Sequence, residues 1–312
     1  PFGMLSDRIG RKPVIAGGLL IFALGSIVAM LATTIEGVIF GRALQGAGAV
    51  AAAVMALAAD LTREEHRTKA MAVIGMSIGF SFVVAMVAGP VLDHWIGVPG
   101  IFALTAVLAL VGIALLFTVV PTPGKVIFHR DAEAEPAQFG HVLRDGQLLR
   151  LDFGILVLHL VLTAVFVVLP LALRDSGFAP EKHWQLYLPV MVAAMGLAVP
   201  FIVIAEKKRK MKRVFTTAIG VLMLAQLALV WAHHHFWAMA VVLLVFFMAF
   251  SLLEATLPSL VSKVAPAQSK GTAMGVYTTS QFLGAFIGGV AGGWTHEMFG
   301  TSGVFFLCSA LV

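Results

Sequence analysis

Ten apolar segments, most of them long enough to cross a lipid bilayer, fill most of this 312-residue chain. A transmembrane helix needs about 20 predominantly apolar residues. Hydrophobic residues make up 60% of the chain and charged residues only 12%, whereas soluble domains carry about 25% charged residues. The chain is therefore predicted to be an all-α membrane protein. The predicted spans are Val14–Ala32, Gly37–Ala59, Ala70–Leu92, Gly100–Val120, Phe153–Leu173, Leu186–Ala205, Val214–Ala232, Phe236–Leu257, Thr272–Gly293 and Gly303–Val312, the last of them truncated.

Lysine and arginine are distributed unequally between the two ends of these spans. Of the 21 Lys and Arg residues, 18 fall in loops on one side, whereas only Arg174 and Lys182 fall on the other and Arg42 lies within a span. Loops rich in Lys and Arg are cytoplasmic in multispan proteins. The count therefore predicts that the long central loop is cytoplasmic. It also explains the net charge of +5 without a nucleic-acid partner.

The longest polar segment, residues 121–150, contains two prolines and an acidic run. It predicts a linker between two helical bundles, 1–120 and 151–312, with a short surface helix at Phe139–Leu149. A repeat supports two bundles, because Arg67–Val73 and Lys270–Val276 are similar and each opens a span on the same side. Since the chain begins at Pro1 and stops inside an apolar stretch, we expect it to be a piece of a longer protein.

A dense cluster of charged residues precedes the first span, where residues 3–13 read Gly-Met-Leu-Ser-Asp-Arg-Ile-Gly-Arg-Lys-Pro. Asp7 and Arg11 are four residues apart, so in a helix they would share one face and could pair. Gly3 and Gly10 lack side chains and would let neighbouring backbone approach closely. A generic basic loop would account for the arginines, but it would not account for the aspartate or the spaced glycines.

Two further cations of this cluster, Arg8 and Lys12, are expected to lie at the lipid headgroups as cytoplasmic anchors. Asp60 ends the second span, just before the next basic loop. It is a candidate partner for the cluster, and the alternative is a solvated acid at a helix end.

Three ionisable residues within the spans are candidates for proton coupling. A charge inside a span costs at least about 2.5 kcal/mol on insertion scales, so Arg42 is expected to face a cavity or a partner; the alternative is a structural arginine bound to a carbonyl or carboxylate. His159 lies in the middle of the fifth span, and histidine titrates near physiological pH; hydrogen-bonded packing is the alternative. Glu254 lies towards the end of the eighth span, where contact with water or a loop lysine is the alternative. Further candidates for lining the cavity are Gln226, Tyr277 and Gln281.

Several classes of function are excluded or disfavoured. No phosphate-binding loop of the Walker type is present, so the energy for any transport would come from an ion gradient or from the substrate. No arrangement of nucleophile, base and acid indicates an enzyme. Three consecutive histidines, His233 to His235, cannot easily face one ion and have no nearby carboxylate or thiol, so we expect no metal site.

The cluster at residues 3–13 resembles the loop between helices two and three of the major facilitator superfamily of secondary transporters. Arg42, Gln45 and Gly46 resemble the second motif of that family, Arg-x-x-Gln-Gly, on its fourth helix. Gly89-Pro90 resembles, in part, the third motif, which is typical of drug/proton antiporters and forms a bend; a plain packing kink is the alternative.

The resemblance implies roles for these residues. Asp7, Arg11 and Asp60 would form a charge relay that latches the two halves of the protein on the cytoplasmic side in the outward-facing state. The motif aspartate would also lie near the N-terminus of the helix that begins around Gly271, where a helix dipole favours a carboxylate. Arg42 would take part in proton coupling.

The resemblance further implies a fold and a function. The fold would be two six-helix bundles related by a pseudo-two-fold axis, here without the first helix and most of the second. We expect a monomer in the bacterial inner (plasma) membrane that exports a small, lipophilic compound in exchange for protons, by alternating access and without a cofactor. The alternatives are a proton-linked importer or facilitative carrier of the same fold, and a membrane sensor or assembly subunit that does not transport.

Overall fold

The computed structural model describes residues 9–48, 50–122, 138–208, 210–266 and 269–312. All regular structure in these ranges is helical. The α-helices, in chain order, are α1 (Arg11–Leu31), α2 (Ile35–Ala47), α3 (Ala51–Leu61), α4 (Glu64–Thr118), α5 (Phe139–Val142), α6 (Gly146–Asp175), α7 (Trp184–Lys207), α8 (Met211–Ala232), α9 (Phe236–Val264) and α10 (Lys270–Leu311), with a short 3-10 helix at Pro180–Lys182 before α7.

The chain divides into two compact units, residues 1–135 and 136–312. The first contains α1 to α4 and the second contains α5 to α10. The division falls inside the segment predicted as a linker, 121–150. The surface helix predicted at Phe139–Leu149 is only partly correct, because α5 ends at Val142 and a new helix, α6, begins at Gly146.

Six helical segments in the described ranges are long and apolar enough to cross a membrane. This finding and the exclusively helical structure confirm the predicted class, an all-α membrane protein. Some ends differ from the prediction by several residues: the segment that ends at Thr118 begins at Ala88 and not at Gly100, and the segment that begins at Phe236 ends at Val264 and not at Leu257. The six segments are Arg11–Leu31, Ala88–Thr118, Gly146–Asp175, Pro180–Ile204, Met211–Ala232 and Phe236–Val264.

The prediction of one continuous second span, Gly37–Ala59, was wrong. The structure has two helices here, α2 of 13 residues and α3 of 11 residues, each shorter than the length that crosses a bilayer. Gly48 caps α2 with its backbone N–H. A Cβ at this glycine would meet the carbonyl of Gly18 and lie 2.7 Å from the nitrogen of Phe22. The C-terminal end of α2 therefore lies against the backbone of α1.

Two long helices each contain a pair of predicted spans. Gly97 has a φ of 66° inside α4, and Gly300 has a φ of 67° inside α10. Positive φ is accessible to glycine at little cost, and Pro99 suits the first turn of the helix that follows Gly97. These glycines mark the turns that the sequence predicts between the third and fourth spans and between the ninth and tenth.

In each unit, two helices cross closely at glycines, which have no side chain. In the first unit, a Cβ at Gly25 would lie 2.7 Å from the carbonyl oxygen of Gly41, so α1 and α2 touch backbone to backbone. In the second unit, α10 presents Gly284, Gly288 and Gly292 to α6. Small residues at such spacing let membrane helices pack closely, which brings the polar side chains of α6 and α10 within reach of one another.

Candidate functional site

A buried ion pair joins the start of α1 to the end of α3. The Arg11 Nε donates to Oδ2 of Asp60 at 2.8 Å, and neither side chain has any solvent-exposed surface. The alternative interpretation of Asp60, a solvated acid at a helix end, is therefore wrong. A charge-assisted bond of this length is among the stronger hydrogen bonds in proteins, so it ties the end of α3 to the motif segment.

Lys12 does not lie at the lipid headgroups as predicted. Its side chain is buried, its Nζ donates to the carbonyl oxygen of Val120 at 2.6 Å, and it lies 5.9 Å from the centre of the Phe117 ring. The last carbonyls of a helix lack partners within the helix, and the C-terminal end of α4 packs beside the start of α1. Lys12 therefore binds the backbone just beyond the C-terminal end of α4.

Gly10 has a conformational role besides the predicted one. Its φ is 98°, and among the described residues a Cβ there would meet only the Pro13 ring, at 3.6 Å. The residue is thus needed for the backbone conformation that precedes α1. The other predicted motif residues, Gly3, Asp7 and Arg8, lie outside the described residues.

A polar network continues from the second motif into the first unit. Arg42 is exposed in this unit and its Nη1 donates to Oε1 of Gln45 at 2.8 Å. The buried Gln45 amide donates to Ser26 Oγ at 2.6 Å, and Thr105 Oγ1 donates to the same hydroxyl at 3.2 Å. The side-chain partner of Arg42 among the described residues is thus an amide. Gly46 is exposed, with no described atom within 4 Å of a Cβ placed there.

The bend predicted at Gly89-Pro90 from the partial third motif stays a prediction. The backbone stays helical there, and the departure from helical geometry is at Gly97. No described atom lies within 4 Å of a Cβ placed at Gly89, so this glycine does not serve close packing within its unit. Proline can adopt a helical φ. The turn in α4 occurs at Gly97, whose φ is positive.

Three predicted residues, all partly buried, meet in the second unit, on α6, α9 and α10. The Gln281 Nε2 lies 2.8 Å from Nε2 of His159 and donates to Oε1 of Glu254 at 3.2 Å. Because an amide N–H can only donate, Nε2 of His159 accepts and the proton of the neutral ring is on Nδ1. That nitrogen lies 3.8 Å from Oε2 of Glu254. We name these three residues the His–Glu–Gln cluster.

The position of Glu254 argues against pairing with a loop lysine, whereas contact with water fits the exposed part of its side chain. The helix α9 continues seven residues beyond the predicted end at Leu257, so Glu254 is about 15 Å from its C-terminus at 1.5 Å per residue. Its side chain is 37% exposed and pairs with residues of other spans, and its described partners do not include a loop lysine.

Sequence reasoning missed a buried carboxylate, Asp152, in the same unit. Its two oxygens are buried without a hydrogen-bond partner in the described part of the chain. The buried hydroxyl of Tyr277 also has no such partner, and Tyr277 is within electrostatic range of both Asp152 and Glu254. The prediction began the fifth span at Phe153, which placed Asp152 in the loop. Asp145 is the N-cap of α6 and accepts from the N–H groups of Gln147 and Leu148. An N-cap aspartate indicates the start of a helix, and the sequence analysis missed this signal.

Gln226, a predicted cavity-lining residue, lies on α8. Its side chain is fully buried in α8, and neither its nitrogen nor its oxygen has a hydrogen-bond partner among the described residues. Of the three histidines after α8, His233 is buried, and its Nδ1 lies 2.9 Å from the carbonyl oxygen of Leu229. No group of three His, Cys, Asp or Glu side chains in the described ranges could hold a metal ion.

The family model of the Major Facilitator Superfamily matches residues 1–289 and 212–312. The chain belongs to the Major Facilitator Superfamily. Proteins of this superfamily are transporters and not enzymes, and they generally need no cofactor. This membership confirms the resemblance inferred from residues 3–13, Arg42 and Gln45.

Relatives within the superfamily support this assignment. The chain is 53% identical to the inner membrane transport protein YajR of Escherichia coli over 98% of its own length and 67% of that protein. It is 32% identical to an uncharacterized transporter of Buchnera aphidicola, over 92% of this chain and 74% of the relative. The solved structure of the human organic anion transporter MFSD10 matches 99% of this chain and 77% of its own, with a TM-score of 0.67 and 20% identity, which supports the fold alone.

Proposed function

We propose that this facilitator is a proton-coupled secondary transporter that exports a small, lipophilic compound by alternating access. The observation that carries the proposal is the His–Glu–Gln cluster. It places a carboxylate and an imidazole, 3.8 Å apart, on spans of the second unit. Ionisable residues inside membrane spans are costly, and where they occur they commonly mark proton or substrate pathways.

The chemistry of the cluster suits proton exchange. When Glu254 is ionised, it accepts a hydrogen bond from Gln281 and lies beside the His159 ring. Protonation would add an O–H donor to Glu254 and remove its negative charge. A bound proton therefore changes both the charge and the hydrogen-bonding pattern that a substrate meets. A transporter can use this difference if the substrate and the proton favour different conformational states.

The Arg11–Asp60 pair supports the latch part of the proposal. The two residues belong to one unit and hold the motif segment against the end of α3. In the proposed relay Asp7 would be the third member and would lie near the N-terminus of α10 in the outward-facing state. We further propose that Arg42 is coupled to proton movement through Gln45, whose amide it contacts.

The sequence and one relative support the orientation and the substrate class that we propose. We propose that the chain acts as a monomer in a bacterial inner membrane, with the basic loops and the segment 121–150 in the cytoplasm. One relative, 29% identical over 72% of this chain and 59% of its own length, is the multidrug resistance protein MdtL of Shewanella oneidensis. This kinship favours export of lipophilic compounds over uptake of nutrients.

The test uses the full-length protein in inverted membrane vesicles with a preformed gradient, acid inside. A panel of lipophilic cations, sugars and amino acids is added, and the internal pH is followed with a fluorescent dye. An exporter that exchanges substrate for protons dissipates the gradient when its substrate is added, and the Arg42→Ala and Asp7→Asn variants do so much less. Substrate-dependent acidification would instead indicate a proton-linked importer. Ligand binding with no flux of either kind would indicate a sensor or assembly subunit and would reject the proposal.

A further inference from the structure

A cleft opens between α7, α8 and α9 in the second unit, at the end where α8 begins. Its volume is about 310 Å³, at the lower limit of the range for small-molecule sites. Its walls are mostly apolar, with Phe201, Val221, Met248 and Leu252 among them. The cleft is separate from the His–Glu–Gln cluster, which lies on α6, α9 and α10.

Two cations, Lys210 and Arg213, complete the lining of the cleft. Both are exposed, and neither forms an ion pair with a carboxylate in the described ranges. They belong to a basic run, residues 207–213, in which only Met211 is uncharged. The cleft therefore combines an apolar interior with a strongly positive entrance.

The N-terminus of α8 adds to this positive potential. Lys210 is the N-cap residue and makes no side-chain capping bond, and the first turn contains no acidic residue. The free N–H groups at such a helix start, together with the helix dipole, favour an anion. The lysine and arginine side chains are long enough to keep their stems against apolar surface while their charged ends reach water or headgroups.

The entrance lies at the level of the membrane surface. The segments Pro180–Ile204 and Met211–Ala232 are both candidate spans, so the basic run between them leaves and re-enters the bilayer. Basic pockets between transmembrane helices commonly bind the headgroups of anionic lipids. A soluble anion would leave the apolar walls exposed to water, whereas a lipid would cover them with its chain.

We propose that this cleft is a binding site for an anionic phospholipid. The phosphate is held by Lys210, Arg213 and the start of α8, and one acyl chain lies against Phe201, Met248 and Leu252. The occupant has one negative charge or more and comes from the surrounding leaflet. The proposal depends only on the membrane location of these helices and not on proton coupling.

The test measures lipid binding to the purified full-length protein by native mass spectrometry, with added phosphatidylglycerol or phosphatidylethanolamine. We expect phosphatidylglycerol to bind more tightly. The double variant Lys210→Gln/Arg213→Gln should weaken its binding on the order of tenfold or more. The matched control, Lys207→Gln/Lys208→Gln, removes the same charge from the same basic run outside the cleft and should have a much smaller effect.

A second pair of variants tests the apolar part of the cleft. Ala218→Phe and Val221→Phe each fill part of it without changing charge, so both should weaken binding of phosphatidylglycerol. Ala218 is buried, so its variant is interpreted only if the thermal unfolding midpoint is close to that of wild type. Val221 is only partly buried and provides the measurement if Ala218→Phe does not fold.

Three outcomes would overturn the proposal. An equal loss of phosphatidylglycerol binding in the Lys207→Gln/Lys208→Gln control would show that the lipid is attracted to the basic surface in general. Equal binding of phosphatidylethanolamine would show that the cleft does not select charge. Displacement of the lipid by millimolar inorganic phosphate would show a site for a soluble anion.

Discussion

Arg11 and Asp60, 49 positions apart in the sequence, form an ion pair of 2.8 Å that is fully removed from solvent. Removing one partner of a buried pair leaves the other charge in a medium of low dielectric constant. The pair therefore makes the start of α1 and the end of α3 depend on each other. This dependence gives the loop motif a structural role in addition to any role in conformational change.

Breaking the pair should be strongly destabilising. We expect Arg11→Met or Asp60→Leu alone to lower the free energy of unfolding by about 3–5 kcal/mol, and the double variant to recover part of that loss because both charges are gone. The thermal unfolding midpoint in detergent measures the effect. The matched control is Arg174→Met, which breaks the exposed pair of Arg174 with Asp175 and should cost less than about 1 kcal/mol. Additive losses in the double variant would show that the two side chains do not stabilise one another.

The crossing of α6 and α10 depends on glycine. A Cβ at Gly284 would meet the carbonyl of Leu156, so Gly284→Ala should force the helices apart at a cost of about 1–3 kcal/mol. At Gly293 on the same helix no described atom lies within 4 Å of such a Cβ, so Gly293→Ala should be neutral or stabilising, since alanine favours helix. Unfolding midpoints of the two variants give the comparison. Equal midpoints would mean that the contact can relax at no cost.

The polar network in the first unit should also contribute to stability. Gln45→Leu removes the bond to Ser26 and the partner of the Arg42 guanidinium. Loss of one partner in a buried hydrogen bond costs about 1–3 kcal/mol. Gln185→Leu, at an exposed position of α7, is the control. If Gln45→Leu and Gln185→Leu both unfold at the same temperature as wild type, water satisfies the former partners of Gln45 at no cost in stability.

His233 should make stability depend on pH. Burial lowers the pKa of this histidine below its ordinary value of about 6.5. The unfolded chain therefore takes up a proton at a higher pH than the folded chain does. The stabilisation from His233 is complete above the ordinary pKa and is lost as the pH falls through the lowered pKa of the folded state. Between pH 7.5 and 5, the unfolding midpoint of wild type should fall further than that of His233→Asn; parallel slopes would contradict this.

The apolar pattern was enough to predict the fold class, because apolar runs of about 20 residues have the length of membrane-spanning helices, which satisfy their own backbone hydrogen bonds. It also located the turns at Gly97 and Gly300, where polar residues and a glycine separate two apolar runs. The end of α2 at Ala47 could not be read from the pattern, since the apolar run continues through Gly48 without a polar residue.

The site was predictable where a charge lies inside an apolar run. His159 and Glu254 were singled out as ionisable residues within spans and Gln281 as a polar residue that could line the cavity, and the structure brings the three together. Asp152 was missed because it lies only one residue before the predicted span, and the true start of α6 depends on the cap at Asp145. Lys12 was misplaced because its partner, the carbonyl of Val120, is 108 positions away.

The most direct test of proton-coupled export is transport by the Glu254→Gln variant in proteoliposomes. Glutamine keeps the shape and hydrogen bonding of a protonated glutamate but cannot lose a proton. With the substrate found in the vesicle screen, the account predicts that the variant still exchanges labelled for unlabelled substrate across the membrane. It also predicts that the variant no longer accumulates substrate when a pH gradient is imposed. Glu181→Gln, at an exposed acid in the 3-10 helix, should behave as wild type. Undiminished accumulation driven by the pH gradient in Glu254→Gln would contradict the account.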